Sequence, residues 1–70
     1  MKSIEEMLEH YRRLRDQNLA DAANMESGKW RMNERREGRM VDITDEWAAE
    51  LRRRAVELDR IITECERPGS

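Results

Sequence analysis

Two apolar stripes of helical period, in a chain of seventy residues, set the main limit on what this sequence can fold into. At 100° per residue, Ile4, Met7, Leu8, Tyr11, Leu14, Leu19, Ala22 and Met25 fall within an arc of about 140° on one helix. Trp47, Leu51, Ala55, Leu58, Ile61, Ile62 and Cys65 fall within an arc of about 120° on a second. Each stripe needs a cover. Two helices laid together cover part of both, and little chain is left to finish the work. A chain of this size folding alone buries only about 60% of its unfolded surface.

Small scaffolds make up such a shortfall with disulfides, metals or association. Cys65 is the only cysteine and His10 the only histidine, so neither an internal disulfide nor a Cys/His zinc site is open to the chain. Association remains. The sequence therefore predicts a homodimer that completes the core between copies.

The first helix is expected over about 3–26. Ser3-Ile4-Glu5-Glu6 has the form of a capping box, and Glu5, Glu6 and Glu9 suit the positive end of the helix dipole. Gly28 supplies the stop, because glycine takes the left-handed backbone without a Cβ clash. The second helix is expected over about 44–66, with Thr44 as N-cap, Asp45 and Glu46 in the first turn, and Pro68 and Gly69 at the end. A short tail, 67–70, follows. The whole reads as a single small helical domain.

The segment 28–43 is locally basic, with Lys29, Arg31, Arg35, Arg36 and Arg39 against Glu34 and Glu37. Its arginines are good helix formers, and an isolated hairpin is marginal in water. The expected fold is thus all-α: a helical hairpin of two antiparallel amphipathic helices with a structured linker. The alternative is helix–β-hairpin–helix. Trp30 and Met32 then alternate on one strand, Val41 and Ile43 on the other, and Glu34 to Gly38 form the turn.

Three polar residues interrupt the stripes. Asn18 and Arg15 lie within the first arc, and Arg54 lies between Leu51 and Leu58. A buried polar group costs stability unless it is paired, and one such group in a helical seam fixes register and partner number. Arg54 can instead lay its aliphatic stem on the core and reach water. The expected core and dimer set is Ile4, Leu8, Tyr11, Leu14, Asn18, Trp47, Leu51, Leu58, Ile61 and Ile62.

No reaction chemistry is legible. His10 has no partner for proton transfer, and Cys65, on the apolar side of the second helix with no helix N-terminus near it in the sequence, reads as a small core residue and not a nucleophile. The carboxylates alternate with arginines along solvated faces. The glycines lack phosphate-loop spacing. The expectation is no enzyme, no cofactor and no metal. The net charge is -2, which disfavours nucleic acid as the main partner. There is no apolar run of membrane-spanning length, and a cytoplasmic location is expected.

Gly28-Lys29, followed by Gly38-Arg39-Met40-Val41-Asp42-Ile43-Thr44, resembles the hairpin of the small head–tail joining proteins of tailed phages, typified by the lambda W protein. The resemblance covers about seventeen residues. It implies a helix, a β-hairpin and a second helix, and a structural role in a ring assembly. The chain departs from it in a longer first helix and in Arg31, where an apolar strand residue is expected.

The leading functional expectation is a protein–protein interaction module. It is a small homodimeric regulator (inhibitor, anti-activator or adaptor), of phage or mobile-element origin, that binds a larger protein. A tryptophan among arginines is the residue mix enriched at binding hot spots. Trp30, Arg31, Arg35, Arg36 and Arg39 are accordingly the expected partner contacts. Head–tail joining and nucleic-acid binding are the alternatives.

Overall fold

The computed structural model describes residues 3–67. Two helices, α1 (Ile4–Glu26) and α2 (Thr44–Glu66), are joined by a two-stranded antiparallel sheet, β1 (Asn33–Arg36) and β2 (Arg39–Asp42). The fold is mostly helical, and α1 packs against α2 along its length.

α1 starts as its sequence dictates. The Ser3 hydroxyl accepts the Glu6 amide at 3.2 Å, covering one of the amides that a helix start leaves unpaired. It ends in a Schellman turn: the Lys29 amide reaches the Asn24 carbonyl at 2.9 Å and the Gly28 amide reaches that of Met25 at 3.2 Å. Gly28 sits at φ 87°, the left-handed position that such a turn requires.

The connection departs from the expected linker. It is a β-hairpin, with Asn33 facing Asp42 and Arg36 facing Arg39. The first strand starts later, and the turn is tighter, than the alternative reading placed them. Only Glu37 and Gly38 separate them, at φ 50° and 79°, the double positive φ of a type I′ turn. That turn matches the strand twist and brings the pairing up to Arg36 and Arg39. At the base, the Ile43 amide donates to the Met32 carbonyl at 2.8 Å. Met32 then packs on the core between the helices.

α2 also starts differently. Thr44 is the first helical residue rather than the cap, and its side chain is buried. The Asp42 carboxylate takes the capping role, accepting the Thr44 amide at 2.9 Å and the Thr44 hydroxyl. Pro68 and Gly69, and the tail beyond residue 67, lie outside the described residues.

The buried core is narrow. It consists of Leu8, Ala22 and Met25 from α1 and Ala48, Leu51, Ala55 and Ile62 from α2. Three of the seven are alanines, small enough to let the helix backbones approach closely. Ala22, Met25, Ala48 and Leu51 cluster near the hairpin, with Met32 and Trp47 packed against them.

Candidate interaction surface

The helix pair has two unlike faces. On one, ion pairs cross between the helices: Arg15 reaches Asp59 at 2.8 Å, Arg12 reaches Glu66, and Arg52 Nε donates to Glu26 at 2.7 Å. As the numbers rise along α1 (12, 15, 26) their partners fall along α2 (66, 59, 52), as antiparallel helices require. Hydrogen bonds donated to Asp16 and then to Asp59 hold the Arg15 guanidinium above its ordinary pKa. The Arg52 hydrogen bonds hold the Glu26 carboxyl below its own.

The other face is a shallow groove lined by Leu14, Asn18, Arg54, Glu57, Leu58 and Ile61. Among the described residues no ion pair crosses it from helix to helix. Leu14 is 42% exposed and Ile61 43%, while Leu58 and Asn18 are half-buried. Among the described residues the Asn18 side-chain amide makes no hydrogen bond within the chain. Arg54 does not enter the core: it lies 5.1 Å from the Trp47 ring centre, a cation–π distance, and also bonds Glu50 at 3.2 Å.

The expected core set therefore divides. Leu8, Leu51 and Ile62 are buried, Tyr11, Asn18, Trp47 and Leu58 are half-buried, and Ile4, Leu14 and Ile61 are exposed in the single chain. The reason is geometric, since one partner helix covers a narrower arc than either stripe. Cys65, expected inside, is exposed for the same reason. Arg15 lies over the side of the helix contact and pairs with carboxylates there.

The hairpin sorts the expected partner contacts into engaged and open. Arg36 is held by Glu34 at 2.6 Å and by Glu46 on α2 at 3.2 Å. Those bonds, Glu34's first, raise its pKa. Arg31 lies 3.8 Å from Asp42. The Asp42 carboxyl is itself held below its ordinary pKa, chiefly by the Thr44 hydroxyl and amide. Arg35 and Arg39 have no ion pair among the described residues, and Trp30 is 45% exposed. Met40, 63% exposed and directly across the ladder from Arg35, adds an apolar contact that the sequence reading missed. Its signal was the alternation with Val41, which turns inward.

The second arginine cluster is occupied. Arg53 and Arg54 both bind Glu50, whose carboxyl is held below its usual range, chiefly by the Arg53 hydrogen bond; Arg52 binds Glu26. No group of three His, Cys, Asp or Glu is placed to hold a metal among the described residues. No helix there is long and apolar enough to cross a membrane. Compared with family models, curated proteins and solved structures, the chain matches none.

Proposed function

We propose that this chain is a non-enzymatic interaction module of the cytoplasm that associates with itself through the helices and presents the hairpin to a larger protein. One observation carries the reading. A folded monomer of 8.4 kDa ordinarily exposes about 4,600 Å², whereas this chain exposes 5686 Å². The excess, roughly 1,000 Å², matches what one partner contributes to a standard interface, about 800 Å². The shape agrees: the radius of gyration is 15.8 Å, against about 11 Å for a compact domain of this length. The open Trp30, Arg35, Arg39 and Met40 support a second, distinct contact at the hairpin. By analogy of size and charge, the role is that of a regulator: an inhibitor, anti-activator or adaptor encoded by a phage or mobile element.

Light scattering after size exclusion tests the association, with an expected mass of twice 8.4 kDa. A monomer at micromolar concentration, unfolding at a temperature independent of concentration, defeats it. Affinity capture from the native host, with the hairpin variant Trp30→Ala as control, tests the second contact.

One observation favours head–tail joining as a second reading. The helix–hairpin–helix order is the one that the resemblance implies. The residues that carry the resemblance also hold the turns: Gly28 and Gly38 at positive φ and Thr44 buried at the hairpin base. A ring and a closed dimer differ in mass, so the same scattering experiment separates them.

A further inference from the structure

We infer that the Leu14–Asn18–Leu58–Ile61 groove is the self-association surface, and that two copies meet there about a two-fold axis parallel to the helices. The inference rests on the self-association proposed above and specifies its surface and geometry.

The choice of face follows from what each face already holds. On the opposite face, Arg12, Arg15 and Arg52 are bound across the helix pair to Glu66, Asp59 and Glu26. Docking there would strip solvent from paired charges, for which desolvation offsets much of any gain. Among the described residues the groove face holds no ion pair that spans the two helices, since its Arg54–Glu50 pair lies within α2. Leu14 and Ile61 stand exposed there beside Arg54 and Glu57, where one partner helix leaves them uncovered.

The choice of occupant follows from the groove's composition. It holds apolar side chains on both helices, one amide, one cation and one anion, and such a set is complementary to itself. An isologous contact asks for that property, because the same patch serves both sides. Asn18 adds to the case. Its amide both donates and accepts, it is half-buried, and it has no partner within the described chain.

The axis follows from level. A two-fold axis along the helices keeps each residue at its own height while placing α1 of one copy over α2 of the other. Leu14 shares the groove with Leu58 and Ile61, so across the interface it meets the same pair again from the second copy. Asn18 likewise meets the second copy's Arg54, whose guanidinium is a donor for the Asn18 carbonyl. The product is a four-helix bundle in which every neighbouring helix is antiparallel. A perpendicular axis in the interface would instead lay α1 of one copy over α1 of the other, with the residue levels reversed. The two solutions differ in an observable way. The parallel axis puts both hairpins at one end of the bundle, and the perpendicular axis puts them at opposite ends of a molecule 52 Å long.

The test uses the full chain. Leu14→Glu and Ile61→Glu should each weaken dimerisation by about 100-fold or more, the range of a central interface residue. Helicity should be kept, because both side chains are already exposed within one chain. Val56→Glu, on the ion-paired face and 57% exposed, should leave the dimer intact. Spin labels at Arg39→Cys in a Cys65→Ser background should report an inter-label distance well under the 52 Å length. A dimer that survives Leu14→Glu, or labels about one molecular length apart, overturns the surface or the axis while leaving self-association standing. A monomeric unsubstituted chain overturns self-association itself.

Discussion

The Thr44 hydroxyl accepts a hydrogen bond from the Met32 amide at 2.9 Å, and this bond ties the base of the hairpin to the first turn of α2. The same hydroxyl donates to Asp42, whose carboxylate also caps the helix through the Thr44 amide. One buried side chain thus joins strand pairing, helix start and core, since Met32 packs on Ala22, Met25, Ala48 and Leu51. The hairpin has almost no buried side chains of its own, so its position relative to the helices depends on this junction.

Replacing Thr44 by Val keeps the shape and removes the hydroxyl. The Met32 amide is then left unpaired in a part-buried site, which costs about 1–3 kcal/mol. Thr44→Ser should recover most of the loss. Urea denaturation gives the stability change, and hydrogen exchange at the Met32 amide shows whether the junction itself has opened. Full exchange protection at Met32 in Thr44→Val would remove the hydroxyl from this role.

The junction also predicts how stability depends on pH. The folded pKa of Asp42 is lowered, first by the Thr44 hydroxyl and then by its amide. Glu26 and Glu50 are lowered by Arg52 and, chiefly, by Arg53. A carboxyl with a depressed folded pKa contributes stability that is present above its unfolded value and lost as pH falls through the folded one. The melting temperature should therefore hold from neutral pH down to about 5 and drop below about 4, where ordinary carboxylates take up protons. Asp42→Asn should flatten part of that drop. An equally steep drop in Asp42→Asn would assign the acid sensitivity elsewhere.

How much of this was readable in the residues differs from one segment to the next. Both helices were legible from their period; on α1 the Ser3 cap and the Gly28 stop agree with it, whereas α2 takes its cap from Asp42 and not from Thr44. The hairpin was not the favoured reading. β1 is Asn-Glu-Arg-Arg, exposed at every position, so it carries no alternation and is built from residues that suit a helix equally well. Its pairing comes from the Glu37–Gly38 turn and from the Thr44 junction, both contacts that lie outside the strand. The engaged arginines were equally hidden, since Arg36 and Arg35 are neighbours in sequence and only strand direction sends one to Glu46. Depth within the stripes was partly legible. Period places Leu51 and Ile61 on one side of α2, but only the position of α1 decides that Leu51 is buried and Ile61 is exposed.

That difference in depth sets the expected order of core substitutions. Leu51→Ala and Ile62→Ala empty buried positions and should cost about 2–5 kcal/mol. Leu58→Ala removes a half-buried side chain and should cost less at concentrations where the chain is monomeric. Above the dimerisation threshold its cost should rise toward that of Leu51→Ala, because the second copy then covers it. Concentration-dependent thermal melts of the three variants check the order.

Glu37 is the one non-glycine at positive φ among the described residues. A side chain in that region clashes with its own backbone at roughly 1–2 kcal/mol, and type I′ turns prefer Asn or Gly there. Glu37→Asn and Glu37→Gly should raise stability by up to about 1 kcal/mol. Gly38→Ala should lower it by a similar amount, purely through backbone strain, because a Cβ at Gly38 meets nothing within 4 Å. If Glu37→Gly destabilises the protein, the turn is not the element that sets the hairpin.

The two tryptophans separate folding from recognition. Trp47 is half-buried, packs against the Ala22–Met25–Ala48–Leu51 cluster and carries the Arg54 guanidinium 5.1 Å from its ring. Truncating it removes core area and a cation–π contact together, so Trp47→Ala should lower the melting temperature markedly. Trp30 follows the Schellman turn, and its amide binds the Asn24 carbonyl at 3.2 Å. Its ring is 45% exposed, and substitution to alanine leaves that backbone bond in place. Trp30→Ala should therefore shift stability by less than about 1 kcal/mol, the range for exposed positions away from caps and cores. It should preserve the dimer mass and still weaken capture of the partner protein. Combining it with Arg35→Ala and Arg39→Ala, both without carboxylate partners among the described residues, should abolish capture with the fold intact. Arg36→Ala should act differently, because it breaks the link to Glu46 and loosens the hairpin on α2. If Trp30→Ala unfolds the chain, its ring belongs to the core. If it captures the partner at full strength, the recognition surface lies elsewhere on the hairpin, and Met40 beside Arg35 is the next residue to truncate.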